Sequence, residues 1–217
     1  MPEGHKTCFN RIKVNEGVSD KNFVGCLIHY FMLSFIFVSV DSLQPMLLQQ
    51  KFSIDKKDQI ENYKNAIVIA FDILVKILTA PIFGYLSDRK GRKFINLYGI
   101  ICIGITMMLM PYSFSFPVYV ILRCLYAQGA IAISVVPLLA DYVSQESRGT
   151  CAAILVFMSS VGAVSSAFIN FTILSSLDSH RKIYIQYGVI ASLVLLIGIT
   201  YTLVCLKKGN SYFLGGR

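Results

Sequence analysis

The sequence carries little charge. Asp, Glu, Lys and Arg make up 15% of its 217 residues, well under the roughly 25% of a soluble domain. Hydrophobic residues make up 55%, and mean hydropathy is +0.62. An all-α polytopic membrane protein is therefore the expected class. Other absences narrow the chemistry. The six cysteines, Cys8, Cys26, Cys102, Cys124, Cys151 and Cys205, form no C-x-x-C pair. Neither a disulfide framework nor a zinc site is indicated. Most of them lie in or beside apolar segments, where a thiol packs as a small apolar residue. The sequence has no Gly-rich loop ending in G-K-[ST], no H-x-x-x-H pair and no nucleophile elbow, so no catalytic residue, metal or cofactor is expected. Net charge is +8, but the basic residues flank apolar runs and form no basic–aromatic patch. That distribution argues against a nucleic-acid partner.

What is present is a series of apolar segments. A span needs about 20 mainly apolar residues. Six stretches qualify: 24–48, 65–86, 94–110, 118–140, 150–174 and 183–206. Helices are expected, because unpaired backbone is too costly in lipid and β-barrel alternation is missing. Residues 1–22 are polar and lack the apolar core and cleavage site of a secretory signal. The expected organisation is a tail over 1–22, a six-helix transmembrane bundle over 23–206, and a tail or linker over 207–217, where the chain looks truncated.

Basic residues set the expected orientation. Lys6, Arg11, Lys13, Lys21, Arg89, Lys90, Arg92, Lys93, Arg148, Lys207, Lys208 and Arg217 fall on one side, and Lys51, Lys56, Lys57, Lys64, Arg181 and Lys182 on the other. Twelve against six places both termini in the cytoplasm. The sequon Asn170-Phe171-Thr172 lies at the end of the fifth span, so it is expected to stay unmodified.

The second and third spans are joined by GYLSDRKGRK, residues 84–93. A tight loop needs small residues, which Gly84 and Gly91 supply, and Gly84 also permits close helix approach. Asp88 sits among cations and can cap a helix end or accept from Arg92. This stretch resembles the signature loop G-x-L-x-D-x-x-G-R-[KR] of the major facilitator superfamily. Gly84, Leu86, Asp88, Gly91, Arg92 and Lys93 are the matching positions. PLLADYVSQESRG, residues 137–149, resembles a second loop of that family through Asp141, Arg148 and Gly149. The resemblance implies a cytoplasmic gating network of Asp88, Arg92 and Asp141, with Arg148 beside it. It also implies secondary transport of a small polar or organic solute by alternating access.

Three departures accompany the resemblance. Arg123 is followed by Gly129 six residues on, so the two face different sides of a helix, and the family's R-x-x-x-G pattern is not carried over. MSSVGAVSSA, residues 158–167, has small residues suited to close helix packing but lacks the proline of the antiporter pattern. The chain also supplies six spans where the family has twelve in two bundles. A second copy or a full-length relative would have to provide the other bundle. Otherwise the chain would be a non-transporting half that binds or regulates such a relative.

Ionisable residues inside spans are costly and suggest function. Asp41, Asp72, Lys76 and Arg123 stand out, two acids against two bases. Asp72 and Lys76 share a helix face at a favourable spacing. Asp41, with Gln44 one turn later, offers a polar face on the first span, and it has no cation nearby in sequence. A carboxyl facing a low-dielectric cavity is a proton-coupling candidate. Tyr126 and Gln128 offer further hydrogen bonds to a solute. His29 is read as an interfacial residue. The expected partners are the lipid bilayer and a small-molecule solute.

Overall fold

The computed structural model describes residues 7–8, 12–15, 18–52, 60–136, 138–176 and 182–206. The tail 207–217, much of the tail 1–22, and Lys6, Arg11, Lys56, Lys57, Arg181, Lys207, Lys208 and Arg217 lie outside them.

Seven helices are described: α1 Asp20–Lys51, α2 Ile60–Lys90, α3 Arg92–Leu109, α4 Phe116–Ser134, α5 Leu138–Tyr142, α6 Arg148–Ser176 and α7 Lys182–Val204. Short 3₁₀ turns at Met110–Tyr112 and Gln145–Ser147 complete the helical part. Six helical segments are long and apolar enough to cross a membrane, one for each apolar stretch of the sequence. The fourth stretch is broken. Regular helix stops at Ser134 and resumes at Leu138. Val136 precedes a proline in the sequence, and that placement pushes a residue out of the α region. Between α2 and α3 only Gly91 is non-helical, with φ +91°. This left-handed backbone is open to glycine and strained for other residues.

Apolar burial does not drive helices together inside lipid. Close packing and interhelical hydrogen bonds do. The α1–α6 contact shows both. Ser39 and Ser166 hydroxyls meet at 2.7 Å, Asn170 Nδ2 donates to Ser42 Oγ at 2.9 Å, and Ser34 hydrogen-bonds Ser159. At Gly162 a Cβ would run into the Phe31 carbonyl of α1. The small residues expected to pack closely therefore do so. A similar approach joins α3 to α4, where a Cβ on Gly99 would stand 2.7 Å from the Gly129 carbonyl oxygen. Gly84 differs from expectation: a Cβ there would meet nothing within 4 Å in this chain.

On the α7 side, Asn96 Nδ2 donates to the Tyr201 hydroxyl at 3.0 Å and to Thr202 Oγ1 at 2.8 Å. His29 Nδ1 lies 3.0 Å from the same tyrosine oxygen, and its side chain is buried. The interfacial reading of His29 is thus corrected. Its imidazole is held between α1, α3 and α7 by a shared polar contact. At the start of α1, the Asn22 side chain accepts from Ser19 N at 2.9 Å and donates to Cys205 O at 2.8 Å. The second of these ties the beginning of α1 to the end of α7.

The second and fifth spans are the least covered, with 17% of each apolar window buried. Ile77, Leu78 and Ile82 of α2, with Val156, Phe157, Val164 and Phe168 of α6, are exposed. An apolar surface of this size suits lipid or another bundle.

Two outcomes follow. Gly162→Ala, which places a methyl group against backbone, should destabilise the purified chain by about 1–3 kcal/mol, whereas Gly149→Ala, in open space, should be near neutral. Thermal unfolding in detergent compares them. Asn170 is 7% exposed and engaged by Ser42 and by Gln186 Nε2 at 3.1 Å. Expression in cells that N-glycosylate should therefore give no endoglycosidase-sensitive mobility shift.

Candidate functional site

The four charges picked out within the spans come together on three helices. Arg123, on α4, is almost wholly enclosed, with its side chain 4% exposed. Its Nη2 donates to Asp41 Oδ1 of α1 at 2.9 Å. Its Nε stands 3.3 Å from Asp72 Oδ1 of α2. Asp72 in turn holds Lys76 Nζ at 2.5 Å, one helical turn along. The result is an alternating line, Asp41–Arg123–Asp72–Lys76, with equal numbers of each charge. The two inner members are buried. The ends are more open, Asp41 at 69% and Lys76 at 31% side-chain exposure. Aromatic faces flank the cations: the Arg123 guanidinium lies 4.6 Å from the Tyr126 ring centroid, and Lys76 Nζ lies 5.6 Å from that of Phe37. Cation–π attraction strengthens where water is excluded.

Several expectations change here. Asp41, which has no cation near it in sequence, gains Arg123 from a residue 82 positions away. Gln44 does not share its open face. It is buried, and its Nε2 donates to Asn65 Oδ1 at 2.6 Å, near the start of the second span. Tyr126 lies beneath Arg123 as a packed aromatic. Sequence reading missed Tyr119 and Tyr187, both fully buried. Tyr119 precedes Arg123 by one turn on α4, a periodicity that could have revealed it. The different facing of Arg123 and Gly129 is seen directly, with Arg123 toward α1 and α2 and Gly129 against α3.

A second cluster lies at the C-terminal end of α2. The charges of GYLSDRKGRK divide their work. Arg92 Nη1 pairs with an Asp141 carboxylate oxygen, both side chains being partly exposed. Asp88, one turn before Arg92, is exposed at the end of α2 and acts on the same guanidinium. Lys93 Nζ donates to Leu203 O at 2.6 Å, satisfying a carbonyl at the C-terminal end of α7. Arg89 Nη1 donates to the Tyr85 hydroxyl at 3.1 Å, and Lys90 lies over the Phe94 ring. Leu86 packs against the core. Arg148 serves backbone here: Nη2 donates to Ala140 O at 3.3 Å and Nε to Val143 O at 3.5 Å. Arg92 and Asp141 thus meet across the two loops that the sequence singled out.

Removing Arg123 leaves Asp72 buried with Lys76 alone. Breaking a buried pair in this way costs about 3–5 kcal/mol, so Arg123→Gln should lower thermal stability sharply. Asp72→Asn in the Arg123→Gln background should not recover the loss, because it strips Lys76 of its carboxylate; thermal unfolding in detergent reads both variants.

A profile of the Major Facilitator Superfamily matches residues 15–209. "Multidrug resistance protein MdtG" of Escherichia fergusonii is 30% identical over 148 residues, covering 68% of this chain and 35% of that protein. The MdtG of an Escherichia coli K12 strain is 28% identical over the same length. Two solved structures share the fold. One is the proton:xylose symporter XylE bound to 6-bromo-6-deoxy-D-glucose, with TM-score 0.68, 15% identity, and coverage of 85% of this chain and 44% of that one. The other is the inward-open xylose transporter XylE from E. coli, with TM-score 0.69, 13% identity, and coverage of 86% and 48%. The chain spans about a third of the length of the curated relatives it matches and under half of these structures. With a family profile over nearly all of the chain and a matching helical bundle, the protein belongs to the Major Facilitator Superfamily.

Proposed function

We propose that this chain is one six-span half of a secondary transporter, with both termini cytoplasmic. It moves a small polar or organic solute by alternating access, and a second six-span bundle completes the path. The observation that carries this reading is the alternating line Asp41–Arg123–Asp72–Lys76, enclosed at its centre and open at Asp41. Charges in the membrane interior are expensive, and they mark solute and ion pathways. The line as a whole is neutral, so its members can exchange partners without leaving a net buried charge. Asp41 is the proton-coupling candidate. Protonating its carboxyl cancels its attraction for Arg123, whose guanidinium keeps Asp72. An incoming solute then meets a changed polar surface.

Arg92 and Asp141, with Asp88 beside them, form the gating network in this reading. The pair spans two loops, so a relative movement of the helices behind them must stretch or break it. The uncovered faces of α2 and α6 suit the second bundle, supplied by a second copy or by a full-length relative. MdtG is named for multidrug resistance and XylE for xylose, so the relatives leave the solute class broad.

Reconstituted liposomes test the proposal. A proton gradient should drive solute uptake, and Asp41→Asn should abolish that coupling. Unchanged pH-dependent uptake in Asp41→Asn would remove it from the mechanism. A partly exposed charge pair is worth about 1 kcal/mol at most, so Asp141→Asn should lower flux by about fivefold at most, and Asp88→Asn should lower it too. Absence of flux, together with co-purification of a longer family member, would instead support a binding half.

A further inference from the structure

Asp141 stands on weak foundations. Its helix, α5, has five residues, Leu138–Tyr142, and is separated from α4 by the break after Ser134. A single turn does not hold itself in water, and the last carbonyls of any helix lack intrahelical donors. Here the donors come from far away in sequence. Asn15 Nδ2 donates to Asp141 O at 2.8 Å and reaches Ala140 O at 3.4 Å, while Asn15 N donates to Tyr142 O at 3.0 Å. Three successive carbonyls, 140 to 142, are therefore met by one residue. Arg148 adds its two bonds to Ala140 O and Val143 O.

The segment before Asn15 is held in the same place. Ile12–Lys13 pairs antiparallel with Thr7–Cys8, and Val14 bridges Val143. Ser144 N donates to Lys13 O at 3.0 Å, and Lys13 N to Ser147 Oγ at 3.1 Å. Lys13 Nζ pairs with Glu146 at 2.6 Å. Ile12, Val14 and Val18 are buried at 3%, 3% and 6% exposure. Residues 12–15 thus form a strap across the loop that follows α5.

We infer that Asn15 is a positioning residue for the Arg92–Asp141 pair. It caps α5 from outside and fixes the backbone from which the Asp141 carboxylate reaches Arg92. Asparagine suits the task, because a short side chain brings an amide donor beside its own backbone N–H. The consequence for transport rests on the gating role proposed above, whereas the capping does not. A cycle that breaks Arg92–Asp141 is then coupled to the strap: loosening residues 12–15 loosens α5, and the pair weakens with it.

The test is hydrogen exchange by mass spectrometry on the full chain in nanodiscs. Asn15→Asp keeps the side-chain shape and removes the Nδ2 donation. Asn15→Ala removes it without adding charge, which covers any folding defect of the first variant. Peptides containing the Val143 and Ser144 amides should exchange roughly fivefold or more faster, with the interiors of α1 and α6 unchanged. Unchanged exchange in both variants overturns the cap. A double-mutant cycle then tests positioning. Arg92→Gln should lower Tm in the wild type and have at most about half that effect in either Asn15 background. Additive shifts overturn the link to the pair. Wild-type flux in Arg92→Gln, with exchange and Tm behaving as stated, rejects the gate and leaves the positioning role standing.

Discussion

The enclosed guanidinium of Arg123 is the constraint on which the rest of the bundle depends. A cation inside lipid must be matched by anions, because removing its hydration costs several kcal/mol. The anions come from α1 and α2, as Asp41 and Asp72. Three helices are therefore held in one register by electrostatics rather than by fit alone. Asp72 would bring excess negative charge to this point if Lys76 did not stand one turn away. The line that results is neutral and leaves neither inner charge uncompensated.

Around this line the packing follows the physics of a membrane interior. Small residues bring α1 against α6 and α3 against α4, and serine and asparagine side chains bond across the first contact. Lipid offers no hydrophobic gain for helix association, so such contacts carry the specificity. Pro45 adds a local feature near the open acid. It has no N–H for the carbonyl of Asp41, four residues earlier in α1.

The loop end of the bundle works differently. Its charges are partly exposed, so each pair is screened and individually modest. Order there comes from division of labour. Arg92 takes a carboxylate, Lys93 and Arg148 take carbonyls, and Asn15 closes the short helix beneath Asp141. A partly exposed charge pair needs this backbone support, because two such side chains alone lose much conformational freedom on pairing.

Composition and spacing by themselves determined the six membrane helices, the family signature over 84–93 and the four charges within the spans. These properties are local: apolar length sets a span, and a glycine with positive φ sets a turn. Even the different facing of Arg123 and Gly129 is helical arithmetic. Tertiary structure alone decided which charges meet. Asp41 and Arg123 are 82 residues apart, and Asn15 and Asp141 are 126 apart. No periodicity links such distant positions. It also decided that His29 and Gln44 are buried, that Arg148 serves backbone, and that residues 12–15 fold onto a distant loop. Chain pattern dictates what each segment must become, but the partner of a buried polar group depends on which helices come into contact, and that is a property of the assembled bundle.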